Sequence, residues 1–155
     1  MVDALRRAHR MAKPDGCVVD LHPSAAPALL EVGARTTGRV DAADAPLRHA
    51  AAGVALAAVV DEGLFAIERA LNFTFYTYGD TIEELREYIV ENWRNAQIDD
   101  ETVDRTREAL GAGLRSQGVR PRVREQVLAT KLRPLARPIL VNAEANGVTR
   151  ALPPR

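Results

Sequence analysis

The sequence predicts an α/β domain, and three observations predict it. Cys17-Val18-Val19-Asp20-Leu21-His22 is a nearly unbroken apolar run of strand length. Residues 64–78 are dense in β-branched and aromatic side chains, most of all Asn72-Phe73-Thr74-Phe75-Tyr76-Thr77-Tyr78. Segments of helical periodicity precede, separate and follow these two strands. With 155 residues, 46% of them hydrophobic and 27% charged, the chain has the material for one buried core.

The elements follow in order. Val2, Leu5, Ala8 and Met11 or Ala12 repeat at helical spacing among Arg6, Arg7 and Arg10, which predicts a short amphipathic helix. Lys13-Pro14-Asp15-Gly16 ends it in a turn, because proline cannot continue a helix and Asp-Gly favours reversal. The strand at residues 17–22 has the apolar character of one covered on both faces, as in a parallel sheet, and Pro23 stops it. Residues 27–40 read as a strand-like excursion broken at Gly33 and Gly38. Pro46 suits the first turn of a buried helix over residues 47–62 that ends at Gly63, with Ala51, Val54 or Ala55, Ala58 and Glu62 as its inner stripe.

After the aromatic strand, Gly79-Asp80 turns the chain. Asp80 or Thr81 caps a helix, with Glu83 or Glu84 completing a capping box and Ile82, Leu85, Ile89 and Trp93 on one face. Asp99-Asp100-Glu101 opens another helix through the acidic preference of a first turn, carried by Val103, Thr106 or Arg107, Leu110 and Leu114. Residues 122–132 read as the last strand. The periodicity is lost after Pro134, so a domain over residues 1–133 and a loose tail over 134–155 are expected.

Lys+Arg and Asp+Glu are both 21, so no overall field draws the chain to nucleic acid or to an anionic membrane. The longest apolar run, residues 50–60, is half the length of a membrane-spanning helix. A single cysteine, Cys17, leaves no internal disulfide or cysteine-based zinc site, and with no signal-peptide core near Met1 the expected location is the cytoplasm. His9, His22 and His49 have no ligand-spaced neighbours, so no metal is expected. Cys17 reads as a small core residue.

The run Ala4-Leu5-Arg6-Arg7-Ala8-His9-Arg10-Met11-Ala12-Lys13-Pro14-Asp15-Gly16-Cys17-Val18-Val19-Asp20 resembles the helix, Lys-Pro-Gly-Gly-type turn and fifth strand of class I S-adenosylmethionine-dependent methyltransferases, with Asp15 in place of the commoner first glycine. Gly63-Leu64-Phe65, the aromatic strand to Tyr78 and Asp80-Thr81-Ile82-Glu83-Glu84-Leu85 up to Trp93 resemble the later part of such domains. Gln126-Val127-Leu128-Ala129-Thr130-Lys131-Leu132 is similar to the last strand. The resemblance spans residues 4–132. It implies a partial Rossmann-like sheet, the fifth strand plus the last two antiparallel strands, with flanking and inserted helices.

In that fold the first strands and their glycine-rich turn hold the methyl donor. Gly111-Ala112-Gly113, with Gly118 beyond, follows a helix and reads as a helix terminus and loop. The resemblance therefore implies the carboxyl-terminal, substrate-side half of a methyltransferase, with no S-adenosylmethionine site of its own and activity only if a donor half completes it. Homodimerisation or a separate donor-half chain is expected, because the apolar strand at 17–22 would otherwise present a bare edge. The rival reading is a non-catalytic domain that self-associates or binds a small ligand.

Ligands of open α/β sheets sit beyond the carboxyl ends of parallel strands, which places Asp20, His22 and Ser24 at the candidate substrate site. His22 is the candidate base, against the alternative of an exposed residue beside proline. Tyr76 and Tyr78 are candidates for an aromatic substrate wall, against the alternative that one face of their strand is core and the other lies under the capped helix. Glu68 and Arg69 read as a solvated pair. Arg115, Arg120, Arg122, Arg124, Lys131, Arg133 and Arg137, opposed only by Glu125, read as a solvated edge strand.

Overall fold

A computed structural model describes residues 1–111 and 117–136. The elements run α1 (Val2–Met11), β1 (Val18–Pro23), β2 (Leu29–Val32), β3 (Arg35–Arg39), α2 (Ala45–Asp61), β4 (Phe65–Tyr78), α3 (Ile82–Asn92), α4 (Asp100–Leu110) and β5 (Pro121–Pro134). Local chemistry sets their ends. Thr81 Oγ1 accepts from the Glu84 amide at 3.1 Å and caps α3, while Glu84 Oε2 accepts from the amide of Asp80, one residue before the cap, at 2.8 Å, a variant of the expected capping box. Asp99 Oδ1 accepts from the Thr102 amide at 2.7 Å and caps α4. Residues 27–40, expected as a single broken strand, form the hairpin β2–β3, reversed at Gly33 with a φ of +59°.

All five strands join one antiparallel sheet with β5 at its centre. On one side, β4 pairs β5 along its whole length, from Phe65 opposite Pro134 to Tyr78 opposite Arg122. On the other side, β1 and β2 lie end to end. Val18–Pro23 pair residues 132–127, and Leu29–Val32 pair residues 124–121. β3 extends the sheet beyond β2.

Opposed residues share a face, so the register assigns every side chain. On one face, Val18 and Leu132 pack with Leu5, Leu56, Val59 and Phe65, which places α1 and α2 there. On the other face, at the opposite end of β5, Leu30 and Val123 pack with Ile82, Leu85, Ile89, Ile98 and Val103 of α3, α4 and the segment between them. The two helix pairs thus cover opposite faces at opposite ends. Two patches of sheet stay open. One is apolar, with Val19, Leu21, Leu71, Phe73 and Phe75 all exposed. The other carries Tyr76, Tyr78, Arg122 and Arg124 beside the buried Glu31.

This arrangement corrects several expectations. β1 is not covered on both faces, and its pairing is antiparallel. Val19 and Leu21 are 57% and 61% exposed because no helix lies over that end of their face. Cys17 precedes β1 and is exposed, not core. The inner stripe of α2 is Ala52, Ala55, Leu56 and Val59, while Ala51 and Val54 face outward, so the helix is buried along one side only. β5 is the central strand, not an edge, and its cations meet carboxylates. Arg120 pairs Asp80, Arg122 and Arg124 pair Glu31, and Lys131 and Arg133 pair Glu68. Glu68 therefore does not pair Arg69. The middle of β4 is exposed on both faces, because α3 packs beyond its end. Thr106, and not Arg107, faces the core from α4. Trp93 is half-buried, one residue past the end of α3. Pro134 ends β5, and the Leu135 amide donates to Leu64 O at 2.9 Å, so the first residues of the expected tail are bound to the sheet. Leu114, Arg115, Arg137 and the rest of that tail lie outside the described residues.

Candidate functional site

Asp20 and His22 stand two residues apart on β1 and so share the face of α2. His22 is 9% exposed, with its Nδ1 2.7 Å from Asp20 Oδ2. A carboxylate only accepts, so Nδ1 carries the hydrogen and the neutral ring keeps its lone pair on Nε2. The reading of His22 as merely exposed is thereby corrected. Its carboxylate partner was legible as Asp-x-His in a strand, where alternate residues point the same way. Ser24 is part of the bend that follows. Its amide donates to Gln126 O at 2.7 Å, its Oγ accepts from the Ala26 amide at 3.2 Å, and its carbonyl contacts His49 Nδ1 at 2.9 Å.

Tyr76 and Tyr78 lie opposite Arg124 and Arg122, on the same face as His22 but further along β5. The Arg122 guanidinium sits 4.4 Å from the centroid of the Tyr76 ring, and that of Arg120 sits 5.5 Å from the Tyr78 centroid. Glu31 accepts from Arg124 at 2.6 Å and from Arg122 at 3.0 Å. Burial pushes the Glu31 carboxyl up, but the hydrogen bonds and charge of the two arginines outweigh it and hold the group below the usual carboxylate range. The tyrosines thus stack with protein cations, and their aromatic wall is already partnered.

A cavity of about 490 Å³ opens where β1 leaves β5 and before β2 begins. Pro23, Ala25, Ala26, Pro27 and Ala28 form one wall. Ala42, Ala43, Ala45, Pro46 and His49, around the start of α2, form a second, and Trp93 and Ala96 a third. Arg39, Asp41, Arg48 and Arg94 also line it, and Glu125 reaches it from β5. Glu125 has no hydrogen-bond or ion-pair partner among the described residues, and burial alone raises its carboxyl above the usual range. The cavity lies at the carboxyl end of β1. None of Asp20, His22, Ser24, Tyr76 and Tyr78 lines it. Sequence reasoning missed Glu125. The one available signal was a lone acid within a basic strand.

Both helices that follow strands lack a glycine cradle. Gly38 packs against Thr102, and a side chain at Gly79 would meet Leu85 and the Thr81 carbonyl. Among the described residues no three His, Cys, Asp or Glu side chains gather as a metal site, and no helix is long and apolar enough to cross a membrane. No family model, curated protein or solved structure matches the chain.

Proposed function

We propose that the chain is the substrate-side half of a class I methyltransferase-like domain, whose methyl donor is held by residues outside this sequence. One observation carries the reading. β1 lies antiparallel against the last strand, β5, and β4 lies on the far side of β5. That is the placement the resemblance implies for the fifth strand and the last two strands.

Two further features agree. The outer edge of β1 has no strand partner among the described residues, and beside it lies the open apolar patch of Val19, Leu21, Leu71, Phe73 and Phe75. A donor half would add its strand to that edge and its helices to that patch. Second, a cavity of small-molecule size opens at the carboxyl end of β1. In such a domain this chain would orient the methyl acceptor in that cavity, while the Asp20–His22 pair, which does not line it, would serve as base only to an acceptor that reaches the α2 face of β1.

The test is calorimetric titration with S-adenosylhomocysteine. The chain alone should give no binding, and its complex with a chain carrying a glycine-rich strand-turn-helix should bind. Saturable micromolar binding by the lone chain would overturn the reading.

A further inference from the structure

We propose that the cavity between the β1–β2 connection and the start of α2 is a binding site for a small amphipathic amine, held by an ion pair with Glu125 and by apolar contact with the walls. The inference stands on the cavity and does not require methyl transfer.

Its volume, about 490 Å³, is that of a small-molecule site. Its walls are mainly alanine and proline, with the Trp93 ring beside them. Proline and alanine lose little side-chain entropy on ordering, so these walls are present before a ligand arrives. Among the lining side chains, Glu125 is a half-buried carboxyl without a partner, whereas Arg39 and Asp41 are exposed at the rim. The acids of β2 and β4 show the contrast, since Glu31 holds two arginines and Glu68 a lysine and an arginine. Glu125 holds none, and Phe75, exposed, stands opposite it in β4. A desolvated carboxylate without a partner is unfavourable, and its charge returns benefit only when a cation or strong donor enters.

Cations already line the rim, and none of them forms an ion pair with Glu125. Arg48 is 3.1 Å from Asp44, and the carboxylate nearest Arg94 is again Asp44, at 4.0 Å. Arg39 and Asp41 are exposed residues of opposite sign on the same rim, and the His49 ring contacts the Ser24 carbonyl. A ligand ammonium inside the cavity can therefore pair with Glu125, the half-buried carboxyl, while the exposed rim charges, Asp41 among them, are largely screened. Trp93 adds a ring face that favours a cation over an anion.

Trp93 is the single tryptophan of the chain and lines the cavity, so its fluorescence reports occupancy directly. Three probes of one shape separate the chemistries: phenethylamine, phenethyl alcohol and hydrocinnamate. The amine should bind roughly tenfold more tightly than the alcohol, the difference expected between a charged and a neutral hydrogen bond. Hydrocinnamate should bind weakest.

Glu125→Gln should remove the preference for the amine. It should not lower the melting temperature, because it deletes a desolvated carboxyl. Ala26→Leu, an exposed position on the wall, should weaken all three probes alike. Equal binding of amine and alcohol, tighter binding of the carboxylate, an amine preference that survives Glu125→Gln, or no binding of any probe would each overturn the proposal. None of these outcomes bears on whether the chain binds S-adenosylhomocysteine with a partner.

Discussion

His22 Nδ1 and Asp20 Oδ2 lie 2.7 Å apart on one face of β1, with both side chains almost wholly out of solvent. The pair orients the imidazole through a single contact. Asp20→Asn should cost about 1.5 to 3 kcal/mol of stability, the range for a hydrogen bond to a charged group. It should also release the ring from its Nδ1–H tautomer. Nitrogen-15 shifts of the His22 ring read the second effect, and an unchanged tautomer ratio would show that Asp20 does not set it.

Glu31 carries the clearest pH dependence. Its carboxyl is held below the usual range in the folded chain, so its contribution is present above the unfolded value and is lost as pH falls through the folded one. Wild type should therefore lose stability on acidification more steeply than Glu31→Gln. At neutral pH that variant should be less stable by about 1 to 3 kcal/mol, discounted from a fully buried pair because Arg122 and Arg124 are partly exposed. Parallel acid unfolding curves for the two proteins would disprove the assignment.

Gly38 lets β3 approach α4. A methyl group there would overlap the side chain of Thr102, whose Oγ1 would stand 2.6 Å away. Gly38→Ala should cost about 1 to 3 kcal/mol by overpacking. Adding Thr102→Ala should return part of that loss, although it also removes the bond from Thr102 Oγ1 to Asp99. Urea melts of the single and double variants measure the coupling, and simple additivity would place the strain elsewhere.

Trp93 packs on the edge of the core made by Ile82, Leu85 and Ile89, but it is only half-buried. Trp93→Ala should therefore cost about 1 to 3 kcal/mol, below the roughly 3 to 5 of a fully buried aromatic. Leu85→Ala, fully buried, should cost more, about 2 to 5 kcal/mol. The reverse order in denaturant unfolding would mean that the ring, and not the helix face, anchors α3.

The open patch beside β1 predicts self-association of the isolated chain. Two copies meeting through Val19, Leu21 and the β1 edge would cover what a donor half would otherwise cover. Sedimentation velocity at low micromolar concentration should show a dimer, and Leu21→Arg should give a monomer of unchanged melting temperature. A wild-type chain that sediments as a monomer at this concentration would leave the patch without a second copy.

The sequence by itself determined the elements whose causes are local. Pro14 and Gly16 end α1, Thr81 and Glu84 start α3, Asp99 starts α4, and the β-branched and aromatic run makes β4, because capping and chain reversal act within a few residues. It also carried the Asp20–His22 pair, since strand alternation alone puts the two side chains on one face.

Only the tertiary structure decided what depends on residues far apart in the chain. Nothing near residues 121–134 shows that β5 is central, because its neighbours come from residues 18–32 and 65–78. The apolar Val19 and Leu21 suggested burial, yet they are exposed, because burial depends on which end of β5 each helix pair covers. The cavity and its uncommitted Glu125 have the same origin. They exist where β1 and β2 part along a strand that reaches them only at the end of the described chain.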